Sequence, residues 1–199
     1  MRTVIRTLMA VVVFLSVFAT IHFYEKDVIS RAQAEVPTLP DFEHTNNQTF
    51  LNNVVQCVDY INHTTTDIYP VNLELLLAQA ALESGWGNSR FARVGKNLFG
   101  IRTYDLKEPH MLPSNNPKKW GVKVYQHECD SVLNYMNILN NGSAYKKYRE
   151  LRENGVDDPY ILVETLDAYA ADKHYFSKIK SILTKIRSEY DTRGRHKKN

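Results

Sequence analysis

The strongest constraint on the fold is a run of helix-forming residues from Leu73 to Leu82 with almost no polar side. Leucine and alanine fill nearly every position, and a helix that is apolar all round is normally buried. Asn72 stands at the N-cap position, and Gly85 and Gly87 end the helix. The sequence therefore predicts a buried central helix around which the other elements pack.

An ionisable side chain, Glu83, stands at the C-terminal end of this apolar helix. A carboxylate there faces the negative end of the helix dipole, and apolar surroundings disfavour its charged form. Both effects should raise the pKa of Glu83, which suits a general acid at neutral pH. A solvent-facing glutamate or a core ion pair is the alternative, because structural ion pairs also perturb carboxylates.

The strongest family signal is AQAALESGWGNSRFA at residues 78–92, followed by NLFGI at residues 97–101. Weaker similarity continues through YDLKEPHMLP, SVLNYMNILN, AYKKYRELR and AYAADKHYFSKIKSIL, so that it covers roughly residues 48–190. These segments resemble the bacterial glucosaminidases of glycoside hydrolase family 73, and more narrowly those of the Bax type. The resemblance implies a lysozyme-like, mainly α (α+β) fold and cleavage of β-1,4 bonds in peptidoglycan glycan strands. It also implies that Glu83 is the catalytic acid.

The second catalytic group is less clearly indicated. Family members often carry a second carboxylate on a hairpin lobe, and here that lobe offers Glu108 and Asp105. Glu108 is our first candidate, although each could equally be an ordinary loop charge. If neither reaches the cleft, the N-acetyl group of the substrate would act as the nucleophile. Tyr169 matches a tyrosine that family members place near the acid, and a core tyrosine is the alternative.

The resemblance also places several residues along the expected cleft. We expect five residues to bind substrate: Asn97, Phe99, Gly100, Tyr104 and Asp105. Phe99 is the one most typical of a plain core residue. Trp86 is expected to pack beneath the active site, with stacking on a sugar as the alternative.

The spacing of apolar residues predicts a helical lobe and a small β-hairpin lobe within residues 48–190. Helical spacing predicts a first helix over residues 48–63. Between residues 102 and 121 this periodicity is lost among three prolines, and VKVY at residues 122–125 alternates like a strand. Further helices are predicted over residues 128–140, 143–153 and 172–190, and another begins at Pro159.

The N-terminal segment predicts export. Arg2 and Arg6 precede an apolar run over residues 8–23, close to the ~20 residues that span a bilayer. We interpret residues 1–24 as a signal anchor or transmembrane helix, with the following domain in the periplasm. A cleaved signal ending near the sequence AQA at residues 32–34 is the alternative, and the domain would then be secreted. Residues 25–47 are interpreted as a linker, and the basic residues 191–199 as a disordered tail.

Composition excludes several other classes of protein. The net charge of +3 is mild, and no nucleic-acid motif accompanies it. The seven histidines are scattered and no paired metal-ligand spacing occurs, so neither a catalytic metal nor a cofactor is expected. The expected partners are peptidoglycan strands and, through the anchor, the inner membrane, with the protein a monomer. A lytic transglycosylase and a non-catalytic wall-binding module remain as alternative functions.

The two cysteines, Cys57 and Cys129, are far apart in the sequence. Outside the cytoplasm they could form a disulfide. Two buried free thiols are the alternative, because pairing requires Cα atoms within about 7 Å. The sequence leaves both possibilities open.

Overall fold

The computed structural model describes residues 16, 18–22, 36–114, 119–167 and 172–190. The chain divides into two compact units, Met1–Val36 and Pro37–Asn199. In the first unit, residues 18–22 are helical. No helix formed by the described residues combines the length and the apolar character needed to cross a membrane. The predicted anchor, residues 1–24, falls mostly outside the described residues, and the predicted tail, residues 191–199, falls wholly outside them.

The second unit is mainly helical, as predicted. Its described helices are α1 (Asn47–Thr64), α2 (Leu73–Ser84), α3 (Arg90–Arg93), α4 (Glu128–Asn141), α5 (Lys146–Glu153), α6 (Pro159–Leu162) and α7 (Tyr175–Glu189). Two short 3-10 turns, Ser143–Tyr145 and Val163–Thr165, precede α5 and follow α6. Most helix boundaries agree with the predicted ones within a few residues, because apolar spacing and capping residues determine both. The exception is the helix that begins at Pro159, which was predicted to carry Leu166 and Tyr169 but ends at Leu162 and is followed by a 3-10 turn.

The central element is α2, as its composition predicts. Every residue from Leu75 to Ala81 is buried, and α2 packs against α1, α6 and, most extensively, α7. The side chain of Asn72 caps it by accepting a hydrogen bond from the Leu75 N–H at 2.9 Å. The same side chain donates to the Asp157 carbonyl at 2.7 Å, so the cap also joins α2 to the segment that leads into α6.

The small lobe is a three-stranded antiparallel sheet rather than a simple hairpin. Its strands are β1 (Arg102–Thr103), β2 (His110–Met111) and β3 (Gly121–Lys123), in the order β1-β3-β2. Arg102 lies opposite Val122, and His110 lies opposite Lys123. The last strand, β3, is therefore the central one, and the sheet is complete only when the chain reaches it.

A disulfide between Cys57 and Cys129 joins α1 to α4 across 72 residues of sequence. Both cysteines are buried where the two helices pack together. The structure therefore supports pairing over two free thiols, the two possibilities that the sequence left open.

The second half of the predicted linker, residues 37–46, lies against this helix pair. The Nδ1 of His127 accepts a hydrogen bond from the Cys129 N–H at 3.0 Å, so Nε2 carries the proton. That nitrogen donates to the Pro40 carbonyl at 3.1 Å. The amide of Asn53, on α1, donates to the Glu43 carbonyl at 2.8 Å. Residues 40–43 are therefore held by both helices.

Candidate active site

The end of α2 is a turn of three consecutive residues with left-handed backbone, at φ angles of 59° for Gly85, 57° for Trp86 and 80° for Gly87. The side chain of Ser84 stabilises the turn, since its hydroxyl donates to the Ala80 carbonyl at 2.5 Å and accepts from the Gly87 N–H at 2.7 Å. Non-glycine residues adopt this conformation rarely. The turn ends the helix one residue after Glu83, which fixes that side chain at the rim of the helical lobe.

The carboxyl group of Glu83 is partly buried, and neither an ion pair nor a hydrogen bond holds it among the described residues. Burial raises the pKa of Glu83 to about 7, although the charge of nearby Lys178 acts in the opposite direction. The Lys178 ammonium instead forms an ion pair with Asp172 at 2.5 Å. At neutral pH a large fraction of Glu83 therefore carries the proton that a general acid donates.

Gly100 borders the Glu83 carboxyl group directly. It has a φ of 64°, and a Cβ atom at this position would lie 3.8 Å from Oε2 of Glu83. Gly100, one of the five predicted substrate-binding residues, thus lies beside the acid. The missing side chain leaves the surface beside the carboxyl group open.

Asn97 and Phe99 hold the loop that carries Gly100. The Asn97 amide donates to the carbonyls of Ile101 and Lys123, both at 2.9 Å, and its oxygen accepts from the Ile101 N–H at 3.0 Å. The Phe99 ring is 2% exposed and stacks on Tyr135 with centroids 4.1 Å apart. Both side chains are buried and stabilise the loop, so they expose little surface that a substrate could contact.

The remaining predicted residues of the small lobe lie nearer to solvent. Glu108 accepts a hydrogen bond from the Thr103 hydroxyl at 2.9 Å and pairs with the Lys123 ammonium at 3.3 Å. Asp105 is exposed and accepts from a backbone N–H two residues later, and Tyr104 is 72% exposed.

Neither Glu108 nor Asp105 is hydrogen-bonded to Glu83 within the described residues. The catalytic role of Glu108 therefore stays a prediction. Tyr169 lies outside the described residues, so its predicted role also stays a prediction.

A buried chain of polar side chains behind Glu83 was not expected from the sequence. Gln79 is fully buried one helical turn before Glu83. Its amide donates to the Tyr175 hydroxyl at 2.6 Å, and its oxygen accepts from the Tyr135 hydroxyl. Burial and the neighbouring charge of Glu83 raise the pKa of Tyr175. One feature of the sequence could have predicted this chain: a glutamine lies four residues before the glutamate in an otherwise apolar helix. A buried glutamine needs hydrogen-bond partners, so polar side chains were to be expected next to it.

Trp86 packs against other aromatic side chains, as expected. Its ring lies 6.3 Å from that of Phe50 and 5.7 Å from that of Tyr190, measured between centroids. The Lys185 ammonium lies 5.6 Å from the ring centroid. These contacts tie the turn after Glu83 to both α1 and the end of α7.

Two surface cavities lie away from the acid. One, of about 340 Å³, is bordered by Phe42, His44, Gly87 and Arg93 among others. The second, of about 290 Å³, lies beside Tyr69. Glu83 lines neither of them. The candidate active site is the surface where the end of α2 meets Gly100.

Comparison with known proteins identifies the family. The family described as mannosyl-glycoprotein endo-beta-N-acetylglucosaminidase matches residues 63–188 of the chain. The matched region contains α2, Glu83, Gly100 and the small sheet. The protein belongs to this glucosaminidase family, as the sequence segments around Glu83 predicted.

Individual relatives agree with this assignment. The exo-glucosaminidase LytG of Bacillus subtilis is 29% identical over 134 residues, which cover 62% of this chain and 47% of LytG. The protein bax of Escherichia coli K12 is 34% identical over 87 residues, which cover 43% of this chain and 29% of bax. The catalytic domain of the autolysin Auto from Listeria monocytogenes superposes with a TM-score of 0.54 at 25% identity, covering 81% of this chain and 94% of that one. The chain spans less than half the length of the curated relatives it matches.

Proposed function

We propose that the protein is a peptidoglycan hydrolase, an endo-β-N-acetylglucosaminidase that cleaves the β-1,4 bond after N-acetylglucosamine. Family membership supports the reaction class, and relatives named exo-glucosaminidase and autolysin support a cell-wall substrate. The observation that carries the proposal is that Glu83 is partly buried, has a pKa of about 7 and forms no ion pair with any residue in the described part of the chain.

In the proposed reaction the protonated Glu83 donates its proton to the glycosidic oxygen as the bond from that oxygen to the anomeric carbon breaks. The leaving sugar keeps that proton, and the Glu83 carboxylate then accepts one from the attacking water. The side-chain-free surface at Gly100 leaves room for the sugar beside the acid. Stabilisation of the positive charge at the anomeric carbon is assigned to Glu108 or to the N-acetyl group of the substrate, with Tyr169 assisting.

The proposed location is outside the inner membrane, with residues 1–24 as the anchor and the catalytic domain in a lysozyme-like form in the periplasm. The disulfide between Cys57 and Cys129 supports this location, because disulfides persist mainly in oxidising compartments. The apolar residues 8–23 behind two arginines support the anchor.

A lytic transglycosylase is the second candidate. That reaction needs a single acid, and the role of Glu108 as a second catalytic group is a prediction that no contact with Glu83 in the described structure supports. Mass spectrometry of digested cell wall separates the two reactions. Reducing N-acetylglucosamine ends are expected for the glucosaminidase, and anhydro-muramic ends would identify the transglycosylase.

The matched control for both reactions is Glu83→Gln, which keeps the shape of the side chain and removes its acidity. We expect this variant to lose at least a hundredfold in rate, as is typical when a general acid is removed. Equal release of products by the two proteins would show that Glu83 is not the acid. No release by either would favour a non-catalytic wall-binding module.

A further inference from the structure

Arg102 and Trp120 form a stacked pair at the surface of the small lobe. The guanidinium carbon of Arg102 lies 4.0 Å from the centroid of the Trp120 ring. Arg102 is exposed, and no carboxylate among the described residues pairs with it. The other cation of this sheet, Lys123, is already paired with Glu108. The pair therefore leaves an uncompensated positive charge held over an aromatic ring.

This charge lies within reach of the acid. Gly100 borders the Glu83 carboxyl group, and two residues of extended chain place the Arg102 Cα at most about 7 Å further on. Along this segment Ile101 and Thr103 are buried, whereas Gly100, Arg102 and Tyr104 are exposed. The exposed side of the strand therefore leads from the acid to the stacked pair, a distance that a glycan strand of a few sugars covers.

Contact with the Trp120 ring favours binding of a carboxylate by the Arg102 guanidinium. An aromatic ring beneath a guanidinium restricts its motion without using the hydrogen-bonding capacity of its N–H groups. Those N–H groups match a carboxylate, which can accept two parallel hydrogen bonds. A neutral sugar offers no group that uses the positive charge.

We propose that Arg102, positioned over the Trp120 ring, binds a carboxylate carried by the muramic acid residues of the substrate, so that the small lobe selects wall glycan over neutral glycan. The choice of substrate rests on the proposed function. The carboxylate has two sources, the lactyl group of muramic acid and the peptide attached to it.

Binding tests the inference without turnover when it is measured in the Glu83→Gln protein. The probes are chitotetraose, which has no carboxylate, a peptide-free wall tetrasaccharide, which has lactyl carboxylates, and the same tetrasaccharide with attached peptides. We expect Arg102→Gln to weaken binding of a carboxylate-bearing probe by about fivefold, as for an exposed ion pair, and to leave chitotetraose unaffected. The carboxylate-bearing probe that loses affinity identifies the source. Higher salt should reduce the difference.

Two further variants complete the experiment. Trp120→Leu should reproduce the loss because it removes the ring that orients the guanidinium. Arg93→Gln, at an exposed arginine on α3 that is not part of the stacked pair, should change no affinity. Equal weakening for all three probes, or no weakening by Arg102→Gln, would overturn the inference. If wild-type protein leaves cell wall intact while the binding pattern holds, the proposed reaction fails and the binding site stands.

Discussion

Glu83 is partly buried and has no neutralising partner among the residues that the structure describes, and this combination has measurable consequences. The nearest ammonium that affects it, Lys178, is bound to Asp172 and only partly opposes the effect of burial. A partner lysine or arginine would have lowered the pKa and left an ionised carboxylate at neutral pH. The free acid therefore depends as much on where Lys178 is held as on the residues around Glu83.

The stability of the protein should depend on the titration of Glu83. Its pKa rises from the ordinary 4.5 to about 7 on folding, so between these values the folded state binds more protons than the unfolded state. Stability contributed by this group is therefore present at about pH 4 and is lost as the pH rises through 7. Glu83→Gln should be more stable than the wild type by about 3 kcal/mol at pH 8 and show no gain at pH 4. Urea unfolding at both pH values measures this difference, and equal gains at both would contradict it.

The same titration should limit activity. The acid must be protonated in the free enzyme, so kcat/KM is expected to fall above about pH 7, by close to tenfold for each further pH unit. A pH–rate profile on cell wall at constant ionic strength provides the measurement. A rate that stays constant up to pH 9 would show that another group donates the proton.

At the scale of elements, the turn after α2 determines where Glu83 lies. Its backbone passes close to the segment before α1, since a Cβ atom on Gly87 would lie 2.5 Å from the His44 ring and 2.8 Å from that of Phe50. Glycine is thus required at this position for two reasons, the left-handed backbone and the close packing.

Comparing two glycines allows the effect of backbone strain to be measured separately from the effect of close packing. Gly87 and Gly155 share a φ of 80°, but a Cβ atom on Gly155 would meet nothing within 4 Å. Gly155→Ala should cost about 1 kcal/mol of unfolding free energy from backbone strain alone. Gly87→Ala should cost about 2–4 kcal/mol, because overpacking adds to the strain. Thermal or urea unfolding of both variants compares them, and equal losses would show that the contacts with His44 and Phe50 do not matter.

Sequence patterns predicted α2 well and the small lobe only in part, for physical reasons. The apolar run from Leu75 to Ala81 allows only a buried helix. The alternation of residues 122–125 indicated one strand, but the other two strands have two residues each and show no pattern, so the order of the sheet was not predictable. The structural role of Asn97 was not predictable either. Its hydrogen bond to the Lys123 carbonyl joins residues 26 positions apart, and no local sequence pattern indicates such a contact.

At the scale of the whole molecule, the disulfide should contribute strongly to stability. It closes a loop with a sequence separation of 72 residues, for which the loss of unfolded-chain entropy corresponds to about 4 kcal/mol. The double variant Cys57→Ala with Cys129→Ala should be destabilised by about this amount in urea unfolding. Dithiothreitol should lower the stability of the wild type towards that of the variant and leave the variant unchanged. A wild type that is insensitive to reduction would contradict this expectation.

The hydrogen bond from His127 to the Pro40 carbonyl lies next to the Cys57–Cys129 disulfide. The segment over residues 40–43 is therefore hydrogen-bonded to two helices, α1 and α4, that a covalent bond keeps together. Local opening of this segment does not require the two helices to separate, so cutting the chain before residue 40 should leave the helix pair joined.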